Sequence, residues 1–512
     1  MADLRIDPDY SSPEASDNEG VSDLLQHSGL SSPSSVISEA AFSHSTDARL
    51  VHFVNAVLVD NGTAVPGELW VDVESGLIVS PATARDIINK DTSVEVQTVD
   101  LEGDLISPGF IDAQLNGAFG FDFSDDKYGD GSHEAFEAGL ADVSRRLVKT
   151  GVTSYCPTLP STFKHVYHKV LPHLRPKRTA EGAESLGVHL EGPFLSPQKP
   201  GCHPPDAIMC APDGIETFKD VYGEENLKDA TIITLAAEQD GVMDTIPDLA
   251  KMGITVSLGH SVLNYTGGCT AVQKGASMVT HVYNAMRQPH HRESGLFGLL
   301  GAQNRDLDAA QNEVPRRRPK APLVYGGYSA EPPVEVKKDL RPFYGIIVDG
   351  IHVHPSCVRI AYHSHPEGCV LVTDAMSPMG LPSGVYAWST QTIRKEGLKL
   401  FLNGTDTIAG SAVEMDISVR NLVEWADISL PEALKTVTTH PARAIGVLGR
   451  KGSLNVGGDA DLTILSPVGE VKRVYKLGRK VYQATARPPV MIAPSQDSGM
   501  PSPRISKPMT SF

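Results

Sequence analysis

Six apolar runs decide the fold: SLGVHLEG (185–192), ATIITLAAE (230–238), ITVSLGHS (254–261), SMVTHVYNA (277–285), FYGIIVDGIH (343–352) and GCVLVTDAM (368–376). Each is an apolar run of strand length. Between them lie amphipathic stretches such as DGVMDTIPDLAKMG (240–253) and NYTGGCTAVQKG (264–275). Apolar runs alternating with helix-like segments imply parallel strands joined by crossover helices. The repeat spans residues 108–446, which is near the size of a TIM barrel. The predicted class is therefore α/β, a (β/α)₈ barrel.

Outward from the body the pattern changes. Residues 49–107 read as short β-type runs, RLVHFVNAVLVD, GELWVDVESGLIV and EVQTVDLEGDLISPGF, separated by turns at Asn61-Gly62 and Glu74-Ser75-Gly76. That pattern predicts a small antiparallel sheet. A matching set, GSLNVGGDADLTILS and VKRVYKLGRKVYQA, falls within 447–483. Two β-rich pieces bracketing the body predict one small β-sandwich domain built from both ends of the folded region. Beyond them, residues 1–48 and 484–512 are rich in Ser, Pro and charged residues and predict disordered tails, because they offer too little apolar surface to offset ordering entropy. A third irregular piece, 303–341, contains QNEVPRRRPKAP and reads as a solvated surface insertion rather than a nucleic-acid contact.

Composition narrows the function. The formal net charge of −17 argues against a nucleic-acid binder, although a small phosphorylated ligand needs only a few local donors. The six cysteines form no C-x-x-C pair, which suits free thiols in a reducing compartment. The first residues, MADLRIDPDYSS, lack the basic and apolar regions of a signal peptide, and no stretch has the length of a membrane span. The expectation is a cytoplasmic protein with neither nucleic-acid nor membrane partners.

The chemistry gathers where the apolar runs stop. They end at Glu191, Glu238, His260, His281, His352 and Asp374. A core strand has no packing reason to finish this way, and barrel enzymes collect their active sites at the C-terminal ends of the strands. Glu191, His260 and His281 make a carboxylate and two imidazoles, a three-donor set that leaves a fourth metal position open. Their separations of 69 and 21 positions mean that only the fold can unite them. A metal there serves to lower the pKa of water and polarise a carbonyl. Asp374 then accepts a proton and returns it to a leaving amine; read alone, VTDAMSP also suits a helix N-cap.

These residues carry a resemblance. PGFIDAQLNG, HLEGPFL, KPGCHPP, LGHS, THVYNAM, DGIHV, VTDAM and TIAGS, in that order over residues 50–483, resemble the N-acetylglucosamine-6-phosphate deacetylase family of the amidohydrolase superfamily. The resemblance implies hydrolysis of the N-acetyl group of N-acetylglucosamine 6-phosphate by a metal-bound hydroxide, in amino-sugar catabolism. It implies Glu191, His260 and His281 as ligands of one divalent metal ion per subunit. Zinc is the default, though iron, cobalt or manganese suits the same donors. Many amidohydrolases carry H-x-H after the first strand and hold a second metal there; this chain has Gln114 and Asn116, neither a strong ligand, so one metal is expected.

By the same resemblance Asp374 is the general acid/base, and His203 helps polarise the acetamide carbonyl with Cys202 beside it. Asn284 and Ala285 line the sugar phosphate pocket. The guanidinium fork of Arg292 suits a phosphate dianion. Asp349, Gly350, Ile351 and His352, with Ile408, Ala409 and Gly410, complete the substrate wall. Read alone, His203 is an ordinary loop histidine and Arg292 a surface arginine. The family also implies a homodimer in which a neighbouring subunit reaches the phosphate pocket. Two alternatives are another amidohydrolase (a cyclic amidase or deaminase) and a catalytically inactive scaffold. The Q-x-N pair and THVYNAM count against the first, and the full ligand set with Asp374 against the second.

Overall fold

A computed structural model describes residues 48–308, 339–388 and 391–485. In it the apolar runs become parallel strands in a ring: β1 (Phe110–Leu115), β2 (Val152–Pro160), β3 (Val188–Glu191), β4 (Ala230–Leu235), β5 (Thr255–Leu258), β6 (Met278–Val279), β7 (Phe343–Ile346) and β8 (Cys369–Leu371). Every neighbouring pair from β1 to β8 is parallel. Glu184–Ser185 pairs with β2 just before β3 begins. Beyond the last residue of β8 the ring closes: the Asp374 N–H donates to the Gln114 carbonyl at 2.9 Å, and the Asn116 N–H to the Ala375 carbonyl at 2.8 Å. This is the (β/α)₈ barrel that the repeat predicted.

The helix His133–Leu147 shows why the crossovers pack outside the ring. The Ser132 hydroxyl caps it by accepting the Ala135 N–H at 3.1 Å. Phe136, Gly139, Leu140, Val143 and Leu147 recur at helical spacing and form its buried face. Glu134 lies in the first turn and Arg145 and Arg146 in the last, complementing the helix dipole. Gly139 is required by close approach, since a Cβ there would stand 2.3 Å from the Phe121 ring. Inside the ring, Ile111, Ala113, Cys156, Ile232, Met278 and Val370 form an apolar plug. The helix Thr439–Ala444 closes that end, where the Ala444 carbonyl accepts from the Thr255 hydroxyl at 2.8 Å.

Strands from both ends of the chain share one eight-stranded sheet. Its order runs Arg479–Gln483, Val471–Lys476, Leu462–Leu465, Leu105–Pro108, Leu50–Asp60, Thr63–Asp72 and Leu77–Val79, with Val96–Asp100 also on Leu50–Asp60. Phe53 and Tyr475 lie on strands three places apart, yet their rings meet edge to face with centroids 4.9 Å apart. The sheet therefore folds over an apolar filling that includes Val51, Val71, Ile78, Leu462 and Ile464.

One expectation for this region is corrected. EVQTVDLEGDLISPGF does not extend an antiparallel meander: Val96–Asp100 and Leu105–Pro108 both run parallel to Leu50–Asp60. A helix absent from the sequence reading, Pro81–Lys90, reverses the chain direction beforehand, starting from a Ser80 cap with Pro81 in its first turn. Glu102 and Gly103, both at positive φ, then break the run.

A second unanticipated element follows β8. Gly384–Trp388, Gln391–Glu396 and Lys399–Leu402 form a three-stranded antiparallel sheet. Its Trp388, Ile393 and Leu400 pack on Met376 and Ala409 beside the strand ends. The predicted tails lie almost wholly outside the described residues. Of the 303–341 insertion only its borders are described, including the short helix Asn304–Leu307.

Seven charged side chains bind the sheet to the barrel. Glu184 lies within 2.7 Å of both Arg450 and Lys476 and 2.9 Å from Lys451. Asp461 contacts Lys451 and Lys476, and Asp459 contacts Lys451 at 2.8 Å and Arg178 at 2.8 Å. Lys476 is fully buried. Glu184, Asp459 and Asp461 lie close enough for a metal, but the lysines already occupy the space between them and supply the countercharge.

Candidate active site

The three predicted ligands meet at the open end of the barrel. Glu191 ends β3, His260 follows β5 and His281 follows β6. Glu191 Oε1 lies 3.0 Å from His281 Nε2 and 3.3 Å from His260 Nε2, and the two Nε2 atoms are 3.1 Å apart. All three side chains are buried. Donors bound to one tetrahedral zinc at ~2.0–2.1 Å stand roughly 3.3 Å from one another, so the observed spacing fits a single ion.

The protonation pattern points the same way. His260 Nδ1 lies 2.9 Å from the Lys199 carbonyl, which only accepts, so Nδ1 carries the proton. In neutral His260 the Nε2 then turns a lone pair toward the Glu191 carboxylate. Lone pairs converging in a buried site require a cation.

The backbone is strained around this cluster. His260, His281 and Asp374 all have positive φ (47°, 27° and 47°), as do Tyr283 and Ala285 in the turn after His281. Non-glycine residues seldom adopt this region, and surrounding contacts must hold them there. The loop after β3 supplies such contacts to His260. Lys199 bonds its ring, and the Ser196 N–H donates to its carbonyl at 2.9 Å. Glu238, another strand-end acid, is no part of the cluster. It accepts from the Ser261 hydroxyl and the Val262 N–H, both at 2.7 Å, and so fixes the chain after His260.

Asp374 stands across from Glu191. Its Oδ1 accepts from Asn116 Nδ2 at 2.7 Å and Gln114 Nε2 at 3.2 Å, and the same Gln114 nitrogen donates to Glu191 at 2.9 Å. Burial and the Glu191 charge push its carboxyl up to about 6. Gln114 and Asn116 entered the sequence reading only as poor metal ligands. Their part in holding Asp374 appears once β1 and β8 are neighbours. One layer deeper, the Thr373 hydroxyl donates to Asp112 at 2.6 Å, and burial pushes that carboxyl up to about 7.

His203 lies beside the cluster, its ring 4.4 Å from that of His260 between centroids. The Ser161 N–H donates to His203 Nδ1 at 3.0 Å, so the ring proton resides on Nε2. Burial holds His203 down to about 3, which keeps the ring neutral and leaves one N–H to donate. Cys202 packs on the Met376 cluster, and its thiol is pushed up to about 12 by burial and by the charges of Asp374 and Glu191. It is therefore a protonated neighbour and no nucleophile.

The remaining predicted residues frame the opening. Asp349 accepts the Ile351 and His352 N–H groups at 2.8 and 2.9 Å and holds His352 Nδ1 at 2.7 Å, leaving the outer ring nitrogen free to contact a ligand. Gly350, at the turn, has φ of +73°. Ala409 is buried and Ile408 half-exposed; a Cβ at Gly410 would meet Met376 at 2.6 Å. Asn284 and Ala285 lie in the turn after His281, where the Ala285 carbonyl accepts the Ser261 N–H at 3.1 Å. Arg292 stands apart from the buried cluster. It is exposed, in a loop with the exposed His290 and His291, and its guanidinium has no partner among the described residues.

Comparison with known proteins gives the family. Residues 105–481 match the model of the amidohydrolase family. The chain is 39% identical over 440 residues to the N-acetylglucosamine-6-phosphate deacetylase of Caenorhabditis elegans, covering 85% of this chain and 95% of that one. It is 37% identical over 440 residues to the Danio rerio enzyme of the same name, covering 86% and 98%. The crystal structure of the Pasteurella multocida N-acetylglucosamine-6-phosphate deacetylase superposes with a TM-score of 0.65 at 29% identity, over 84% of this chain and 98% of that one. The chain belongs to the N-acetylglucosamine-6-phosphate deacetylases of the amidohydrolase family.

Proposed function

We propose that this protein hydrolyses N-acetylglucosamine 6-phosphate to glucosamine 6-phosphate and acetate, serving amino-sugar catabolism. The observation that carries the mechanism is the buried meeting of Glu191, His260 and His281 opposite an Asp374 held by two amides. Glu191, His260 and His281 would hold one divalent ion, zinc by default for this donor set. When bound, the ion lowers the pKa of water and polarises the acetamide carbonyl.

The chain's own residues do the rest. Asp374 takes a proton from the attacking water as its oxygen adds to the carbonyl carbon. With Oδ1 occupied by Gln114 and Asn116, Oδ2 is the atom that carries that proton. As the C–N bond breaks, Asp374 delivers the proton to the departing amine nitrogen. His203, neutral and protonated on Nε2, donates to the carbonyl oxygen as negative charge grows there. His352, aligned by Asp349, binds the sugar. Asn284, Ala285 and Arg292 take the phosphate, with Ile408–Gly410 closing the wall.

We also assign residues 49–107 with 447–483 to one domain and 108–446 to the barrel domain, in a cytoplasmic homodimer. An exposed Arg292 suits a phosphate site completed between subunits. Among the described residues no helix is long and apolar enough to cross a membrane.

Metal content measured beside acetate release tests the centre. One equivalent of divalent metal per chain is expected, with activity lost to a chelator and restored by zinc. Full activity in the metal-free protein would overturn the assignment. Comparing phosphorylated and unphosphorylated substrate tests the clamp. Arg292→Ala is expected to lower kcat/KM on the phosphorylated sugar by about 10–100-fold, the loss of a charge-assisted contact of ~1.5–3 kcal/mol. It should leave the slow reaction of the plain sugar unchanged. Equal losses on both substrates would refute a phosphate role.

A further inference from the structure

A cavity of about 130 Å³ opens on the outer wall of the barrel, between the helix His133–Leu147, β2 and the chain leading into β3. It is separate from the metal cluster, and the reaction uses none of its residues. Leu140, Leu174 and Ala183 give it apolar sides. Tyr155 lines it, only 3% exposed, with its ring stacked on Phe123 at 5.9 Å between centroids. Among the described residues the Tyr155 hydroxyl has no hydrogen-bond partner. Because Tyr155 lines the cavity, its O–H is open to an acceptor there.

The charges around the cavity define that acceptor. Glu137 lines it together with Tyr155. That carboxylate is already engaged, by His173 at 2.8 Å and Lys177 at 3.3 Å, and holds no countercharge in reserve. Arg145 also lines the cavity, and its nearest carboxylate oxygen, on Asp142, stands 3.8 Å away. Asp142 is closer to Arg146, at 3.1 Å. Arg175 lines it too but is held by Asp229 at 3.4 Å, and Glu181 on the lining is exposed, so the guanidinium least committed to a carboxylate is that of Arg145, beside the phenolic O–H and above apolar walls. An engineered cavity of roughly 150 Å³ takes up benzene, so the occupant's body has about six heavy atoms.

We propose that this outer-wall cavity is a second ligand site, which takes a small monocarboxylate with a compact apolar body. The carboxylate lies on Arg145 and accepts the Tyr155 O–H, and the body packs on Leu140, Leu174 and Ala183.

Benzoate is the probe, titrated calorimetrically into the full-length, metal-loaded enzyme with the active site saturated by glucosamine 6-phosphate. Saturable binding at one site per chain is expected. Tyr155→Phe should weaken it about fivefold, the worth of one neutral hydrogen bond, and Arg145→Gln roughly tenfold or more. Both variants should keep the deacetylase activity, which also reports that they fold. Arg145 is surface-exposed, so its variant keeps the test decisive if Tyr155→Phe misfolds. Absence of saturable binding, or equal affinity in wild type and Arg145→Gln, overturns the proposal. So does benzoate binding that appears only when glucosamine 6-phosphate is omitted, which places the probe in the active site.

Discussion

Asp374→Asn is expected to retain its metal and to lose turnover by about 10²–10⁴-fold, the span that a positioned general acid/base contributes. The substitution is nearly isosteric, so the β1–β8 closure through the Asp374 N–H and the Gln114 carbonyl should survive. What disappears is the proton carrier. An amide at position 374 neither accepts the water proton nor passes one to the amine. It also turns part of its surface into a donor facing Gln114 and Asn116, which already donate. Steady-state kinetics and elemental analysis on the same preparation separate the two effects. A variant with wild-type kcat would remove Asp374 from the mechanism. One that loses its metal along with activity would make it a ligand instead.

Lys476→Ala should have the largest effect on stability, a loss of about 3–5 kcal/mol as for breaking a buried ion pair from one side. The ammonium is fully buried and contacts Glu184 at 2.7 Å and Asp461 at 2.5 Å. Its removal leaves three carboxylates sharing fewer cations where water cannot replace it. The urea midpoint reads the loss, and a shift below about 1 kcal/mol would show that the cluster does not hold the sheet to the barrel.

The same cluster sets a pH dependence. Burial alone would raise the Glu184 carboxyl, but Lys451, Lys476 and Arg450 hold it far below its ordinary 4.5. A depressed folded-state pKa gives stability that is fully present above the unfolded value. That stability declines as pH falls below about 4.5, because only the unfolded chain then takes up the proton. Acid unfolding should therefore steepen below that pH. Glu184→Gln should flatten this dependence, and an unchanged acid limb would exclude Glu184 as its source.

Much of this was legible in the chain, for reasons of local physics. Strand-length apolar runs such as ATIITLAAE and ITVSLGHS cannot lie on a solvated surface, so their alternation with helices leaves few folds other than a parallel barrel. Glu191, His260 and His281 were visible because each ends such a run with a group that packing does not demand. The Trp388 sheet was missed although TIRKEGLKLFL alternates around Glu396-Gly397, the pattern of a hairpin. The parallel entry of Val96–Asp100 was missed because it depends on the intervening Pro81–Lys90 helix.

What the sequence alone determined, then, was the set of strands, the residues at their ends and the type of chemistry. Those follow from periodicity and side-chain identity, which are local. The tertiary structure alone decided which of those residues touch. Gln114 and Asn116 lie 260 and 258 positions from Asp374, and only closure of the ring makes them its donors. Glu184 and Lys476 are 292 positions apart and meet only where the eight-stranded sheet packs against the barrel. Such pairings are set by barrel closure and burial, which act across the whole chain and leave no mark in any local stretch of it.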